Sequence, residues 1–239
     1  MTIYTIIQKI KNRLLQKAYR NGRLSFAQSG EDMILAAIFC NEKKGFYIDV
    51  GANNPFIQSN TYYFYRNGWN GINIDALPES MNAFKKYRKR DINLEYAIND
   101  EEEILDYYIF SPSYYNTLSN NNIEEIKKIA DFIGVKKVKT YKLSDILDKH
   151  KISSIEFMSI DVEGFDLNVL KSNNWIKYRP KIIIIEFHAK DLDTLESNAV
   201  HTFLNSKGYN FLCNTTTNFF YIERNYLLTR YNKTLNYPR

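Results

Sequence analysis

Short runs of β-branched and apolar residues alternate along the chain with stretches whose apolar positions recur every three or four residues. Strand-like runs fall at Gly45 to Val50, Ile72 to Asp75, Ile92 to Ile98, Ile155 to Asp161 and Lys181 to Phe187. Helical periodicity occupies Asn60 to Arg66, Glu79 to Arg88, Asp166 to Lys171 and Leu192 to Ser206. This alternation predicts βαβ units, hence an α/β fold with a mostly parallel sheet and helices on both faces. Ile182-Ile183-Ile184-Ile185 has no polar alternation, as a central strand covered on both sides requires. Tyr209 to Cys213 and Asn218 to Glu223, separated by Asn214 to Thr217, predict a closing antiparallel pair. Ser29 ahead of Gly30-Glu31-Asp32 and Met33-Ile34 marks another helix start, where acids in the first turn suit the helix dipole.

Two segments differ in texture. Residues 100–152 read as an insertion-like segment on the same domain, with Ile104 to Phe110 as an extra strand and Asn120-Asn121-Asn122 as a loop before a Lys-rich helix. Residues 1–24 carry Ile3, Ile6, Ile7, Ile10 and Leu14 at helical spacing, which predicts a basic amphipathic helix. No repeat, linker or composition break divides residues 25–239, so one domain is expected there.

Composition narrows the class. The 239 residues are 44% hydrophobic and 25% charged with nine Gly and five Pro, which excludes collagen-like and largely disordered chains. No apolar run approaches the roughly 18 residues of a membrane span. The net charge of +5 suggests nucleic acid only until it is located. Lys9, Lys11, Arg13, Lys17 and Arg20, with no acid among residues 1–20, account for all of it, so nucleic-acid recognition by the body is not expected. The preferred reading of that helix is a surface helix with a solvated basic face, ahead of peripheral membrane or partner contact through residues 1–20. Cys40 and Cys213 have no metal-like spacing, and the N-terminal apolar residues are interrupted by basic ones, which together favour a reducing, cytoplasmic setting.

In such a sheet, ligands sit at the carboxyl ends of the strands. The first strand ends Asp49-Val50-Gly51-Ala52-Asn53, and the second ends at Asp75, 24 residues beyond Gly51. An acid at that position can accept both hydroxyl protons of a ribose. A dinucleotide would need a G-x-G-x-x-G turn for its pyrophosphate, and only Gly51 is present, which argues against NAD or FAD. S-adenosylmethionine carries ribose, adenine, a sulfonium and an amino acid end but no phosphate, so acids and one glycine match it better. Asn99-Asp100, a third polar strand end, is expected at the adenine edge. Ser159-Ile160-Asp161-Val162-Glu163-Gly164 places two carboxylates at a strand-to-helix junction, where they can hold the methionine amino group, bind an acceptor hydroxyl or share a divalent ion. Oxygen ligands suit Mg²⁺, but two acids do not demand it, and no metal is assigned. His188, after Ile185-Glu186-Phe187, is the leading general-base candidate, with Asp161 and Glu163 as further catalytic candidates and Glu186 as an orienting partner or second wall. His150 and His201 read as structural.

Phe26-Ala27-Gln28-Ser29-Gly30-Glu31-Asp32, the Gly45 to Asn53 stretch, Ser59-Asn60-Thr61-Tyr62, Gly68 to Asp75, Arg90 to Leu94, Ala97 to Asp100 and Ile160 to Gly164 form an ordered set. As a set they resemble the FkbM-type S-adenosylmethionine-dependent methyltransferases over most of residues 25–190. The resemblance implies a class I methyltransferase (Rossmann-like) fold with a seven-stranded sheet closed by an antiparallel strand pair. It further implies that Asp49, Gly51 and Asn53 form the cofactor turn, that Asp75 takes the ribose, and that Asn99 and Asp100 lie beside the adenine. Gln28, Gly30, Ser59 and Asn60 would cover the amino acid end. By the same resemblance the acceptor is an oxygen on a sugar or a related precursor of a cell-surface glycan such as capsule, and the basic ends of the chain favour an anionic acceptor such as a nucleotide-linked sugar or phosphoryl compound. The weakly matching segments, including Tyr114-Tyr115-Asn116-Thr117, are where acceptor-binding elements would vary. Two rivals stay open: an NAD-dependent nucleotide-sugar enzyme, and a non-catalytic scaffold of a glycan-assembly complex.

Overall fold

Ile182 to Ile185 are covered on both sides, each with at most 1% of its surface exposed. In the computed structural model, which describes residues 23–121, 123–187 and 192–235, they belong to β8 (Ile182–Glu186) near the middle of a seven-stranded sheet. The other strands of this sheet are β1 (Phe46–Val50), β2 (Asn70–Asp75), β3 (Ile92–Glu95), β7 (Phe157–Ile160), β9 (Tyr209–Asn214) and β10 (Asn218–Glu223). Their order is β3-β2-β1-β7-β8-β10-β9, with the first five parallel and β10 antiparallel to both of its neighbours. This is the α/β, mostly parallel seven-stranded sheet with an antiparallel closure that the residue pattern and the family resemblance imply.

The period-two geometry of strands divides the core. Ile48, Val50, Ile72, Ile74, Met158, Ile160, Ile183 and Ile185 face one side. There they pack against α5 (Leu143–Lys149), α6 (Asp166–Lys171) and α8 (Ala199–Ser206) through Leu147, Leu170 and Leu204. Tyr47, Phe157, Ile182, Ile184 and Phe220 face the other side, against α1 (Glu31–Ile38) and α2 (Tyr62–Arg66) through Leu35, Phe39 and Phe64. The remaining helices are α3 (Met81–Tyr87), α4 (Ile123–Ile126), α7 (Leu192–Ser197) and α9 (Arg224–Leu235).

Three differences from the sequence pattern have physical causes. The run Leu192 to Ser206 is two helices, because the extended Asn198 interrupts it and its side chain accepts from the Val200 and His201 N–H groups as the cap of α8. The Lys-rich stretch after Asn122 is helical only over α4; residues 131–141 are instead strand β6 (Asp131–Tyr141), paired antiparallel with β5 (Ile104–Ser111). Lys136, Lys137 and Lys139 sit on this exposed strand, where cross-strand pairs such as Lys137–Asp106 replace helical ones. β6 also pairs with the two-residue β4 (Ala97–Ile98), so β4, β5 and β6 form a second, three-stranded sheet beside the first. The basic amphipathic helix expected over 1–24 lies outside the described residues except for its last two positions.

Polar residues interrupt the second face of the large sheet in one register row: Asn93, Asn73, Asp49 and Ser159 on adjacent strands. Above this row lies Arg88, fully buried. Its Nε donates to Asp91 Oδ2 at 2.9 Å, its Nη1 to the Pro55 carbonyl at 3.0 Å, and its Nη2 to Tyr47 Oη and Thr61 Oγ1, both at 2.9 Å. Asp91 also accepts from Tyr47 Oη, the Gly71 N–H and Asn73 Nδ2. Arg88 Nη2 also reaches Asn73 Oδ1 at 3.4 Å, so the fork geometry of guanidinium serves five partners on β1, β2 and the loops around them, which an ammonium on a single stem cannot do. Replacing Arg88 by Met leaves Asp91 buried without a counter-ion, and the expected loss is about 3–5 kcal/mol in denaturant unfolding. Arg88→Lys should recover less than half of it. An unchanged unfolding midpoint in Arg88→Met would contradict this role.

Candidate active site

The carboxyl ends of β1, β2 and β7 and the start of the second sheet surround a cleft of about 660 Å³, counted with the solvent at its mouth. Gly51, Asn53, Asp75, Asp161 and Glu163 line it. The opposite wall is Tyr96, Ala97 and Ile98 together with Tyr107, Ser113, Tyr114, Asn116 and Leu118.

Gly51 has a left-handed conformation, φ +85°, and a Cβ there would overlap the Asp161 carbonyl oxygen. The glycine thus serves a close approach of the β1 and β7 ends rather than of a ligand, and this approach sets where Asp161 stands. Asn53 is also left-handed, φ +46°. Its N–H donates to Asp75 Oδ2 at 2.9 Å, while the Leu77 N–H donates to Asp75 Oδ1 at 2.8 Å. Burial pushes the Asp75 carboxyl up, and these two N–H bonds pull it down. Each oxygen accepts one backbone bond and retains a lone pair for a hydroxyl of a ligand. Ser113 Oγ donates to Asn53 Oδ1 at 3.1 Å, fastening the turn before Tyr114 to the loop after β1.

On the far side of the cleft, Asp161 and Glu163 follow β7, and Glu186 ends β8. One carboxylate oxygen from each lies within 4.8 Å of the others. Burial and the neighbouring Glu186 carboxylate raise Asp161 well above the ordinary carboxyl range, and the same two causes push Glu163 up to about 8. Nearby Asp166 accepts from the Val162 and Gly164 N–H groups, both at 3.1 Å. Glu163 is left-handed, φ +52°, and its carbonyl accepts from Thr117 Oγ1 at 2.7 Å, which ties the acidic junction to the inserted segment.

Several of the residues expected around a cofactor have their side chains engaged elsewhere. Asp49 is buried below the cleft and accepts from Thr61 Oγ1 at 2.7 Å. Ser59 accepts the Tyr62 N–H as a turn residue, and Asn60 Nδ2 donates to Ser159 Oγ. Asn99 and Asp100 both accept from Asn168 Nδ2 of α6, and Asn99 also donates to Glu103, so the strand segment just before them forms the wall. Gln28 and Gly30 do not line the cleft. The adjacent Glu31 is buried and accepts from Ser29 N, Thr215 Oγ1 and Asn218 Nδ2, joining this segment to the β9–β10 turn. His188 lies outside the described residues. His201 has both ring nitrogens bonded, to Tyr221 Oη and Asn205 Nδ2. Residue periodicity does not single out Arg88, Tyr96 or Tyr107; Tyr114 and Asn116 stand out only by their place in a variable segment.

The parallel sheet with its antiparallel closure, and the cleft at the ends of its first strands, make this a Rossmann-like fold of the class I methyltransferase type. The chain belongs to the FkbM methyltransferase family: the methyltransferase FkbM domain matches residues 49–211, more than half of its length. Among solved structures, a TehB-like SAM-dependent methyltransferase from Corynebacterium glutamicum aligns with a TM-score of 0.40 at 9% identity, over 90% of this chain and 97% of that one. No curated protein matches the sequence significantly. Among the described residues no helix is long and apolar enough to cross a membrane.

Asp49 also yields a pH prediction. Burial raises its carboxyl to about 6, against the opposing Thr61 bond and Arg88 charge. Near pH 4 and below, both states keep the proton; between about 4 and 6 the unfolded chain ionises first and native stability falls; above about 6 the deficit is constant. Two pH units correspond to about 3 kcal/mol. Relative to the wild type, Asp49→Asn should therefore gain up to about that much unfolding free energy between pH 4 and pH 7. A difference between the two proteins that does not change with pH would contradict the burial effect.

Proposed function

We propose that the protein transfers the methyl group of S-adenosylmethionine to an oxygen of a sugar, nucleotide-linked sugar or phosphoryl-containing precursor of a surface glycan. The observation that carries the cofactor assignment is Asp75, lining the cleft at the end of β2 with both oxygens oriented by backbone N–H groups. Tyr96, Ala97 and Ile98 supply the apolar wall an adenine needs. Asp161 and Glu163 are buried carboxyls that an arriving sulfonium or ammonium draws toward ionisation, so the cation and the acids stabilise one another. A dinucleotide fits poorly, because α2 starts at Tyr62, eleven residues after Gly51, and offers no helix N-terminus beside that turn for a pyrophosphate.

When bound, the cofactor supplies an electrophilic methyl group. The protein's part is to hold an acceptor oxygen in line with it and to exclude water. Tyr114, 46% exposed at the cleft wall, offers a face for a sugar ring, which supports a glycan-type acceptor. His188 keeps the role of proton acceptor assigned from its place after β8, with Asp161 and Glu163 beside the acceptor.

S-adenosylhomocysteine at about a hundredfold excess over its Kd should raise Tm by about 5–10 °C. NAD should give no shift, and Asp75→Ala should lose most of the effect. A shift with NAD, or none with S-adenosylhomocysteine, would overturn the assignment. For the acceptor step, His188→Ala should lower kcat by about 10²-fold or more while leaving S-adenosylhomocysteine affinity unchanged. An unaltered kcat would remove His188 from the mechanism.

A further inference from the structure

Four acids converge where β7 and β8 end, and they are neutralised unequally. Asp166 has its two N–H donors. Among the described residues, no Lys, Arg or His pairs with Asp161, Glu163 or Glu186. Burial and neighbouring carboxylates act on Asp161 and Glu163, and the Asp161 and Glu186 carboxyls stand within hydrogen-bond reach of each other, a contact two ionised groups make only around a proton or a cation. Asp161 Oδ1 is shut off from solvent and accepts no hydrogen bond. A buried carboxylate oxygen in that condition costs free energy unless a cation or proton meets it.

We infer that Asp161, Glu163 and Glu186 form a site for a hard divalent cation, Mg²⁺ or Mn²⁺, at the acceptor side of the cleft. Oxygens sharing one Mg²⁺ at about 2.0–2.1 Å lie no more than about 4.2 Å apart; one oxygen from each of the three carboxylates lies within 4.8 Å of the others, so side-chain shifts of a few tenths of an ångström close them around an ion. The donor set is all oxygen, which suits these ions rather than zinc or copper. Two of the ligands are held by backbone: Asp161 N–H donates to the Val50 carbonyl, and the Glu163 carbonyl accepts from Thr117. Two acids in sequence do not demand a metal; the third, Glu186, is brought in by the pairing of β8 with β7.

Three protein ligands leave positions open on an ion that takes six. Asp161 and Glu163 line the cleft, so those positions face it. They suit an acceptor presenting two neighbouring oxygens, such as a vicinal diol or a hydroxyl beside a carboxylate or phosphoryl group. This further step rests on the methyltransferase reading; the cation site itself does not.

The test uses full-length protein dialysed against chelator and then titrated with Mn²⁺ alone, followed by calorimetry and by loss of the free-ion paramagnetic resonance signal. One Mn²⁺ per chain is expected, with Asp161→Asn and Glu186→Gln each weakening it at least about tenfold. Because both substitutions remove repulsion between acids, both variants should fold, with a chelator-treated Tm at or above that of the wild type. Mn²⁺ should then raise the wild-type Tm and not theirs. Absent Mn²⁺ binding, or binding equal in the wild type and a Glu163→Gln/Glu186→Gln double variant, overturns the site. S-adenosylhomocysteine binding is measured on the same samples: a cofactor shift without Mn²⁺ removes only the metal, and Mn²⁺ without a cofactor shift removes only the methyltransferase assignment.

Discussion

A single buried cation, the Arg88 guanidinium, holds the carboxyl-terminal edge of the sheet in place. It bonds Asp91 after α3, the Pro55 carbonyl in the loop beyond Gly51, and Thr61 ahead of α2. Thr61 in turn donates to Asp49 at the end of β1. Without that charge, two carboxylates would be stranded in the core, and the loop carrying Asn53 would lose its anchor. The burial of Asp49 and Asp91, costly in isolation, becomes tolerable because one planar donor group bonds Asp91 directly and reaches Asp49 through Thr61.

The same sheet edge then separates acids by how they are satisfied. Asp75 and Asp166 rest on backbone N–H donors, and Asp91 rests on Arg88. Asp161, Glu163 and Glu186 have no cationic partner among the described residues. The cleft therefore runs from a carboxylate prepared for hydroxyl groups to a cluster that attracts positive charge. A ligand with a ribose at one end and a cationic centre nearer the other fits that gradient, and a divalent ion fits its far end.

Much of the fold is legible from residue periodicity, because strands covered on both faces and amphipathic helices leave distinct patterns. Ile182 to Ile185 and the Asn218 to Glu223 closure are examples. β6 is harder to read: its exposed, Lys-rich sequence takes its conformation from pairing with β5, a contact between distant segments. At the site, the strand-end acids Asp75, Asp161 and Glu163 stand out in sequence because they follow apolar strands directly. Asn99 and Asp100 stand out equally but are claimed by Asn168, three helical positions into α6, which no local pattern reveals. Asp49 reads as a cofactor acid and lies instead beneath the cleft, since the period of two turns it toward Thr61 and Arg88. Arg88 itself looks like the solvated end of a basic helix, Lys85-Lys86-Tyr87-Arg88, until the fold encloses it.

The most direct measurement is a crystal structure of the protein grown with S-adenosylhomocysteine. The ribose hydroxyls should bond Asp75, the adenine should lie against Tyr96 to Ile98, and the sulfur should point toward Asp161. A ligand bound elsewhere, or one that leaves Asp75 without a contact while occupying the cleft, would contradict the account.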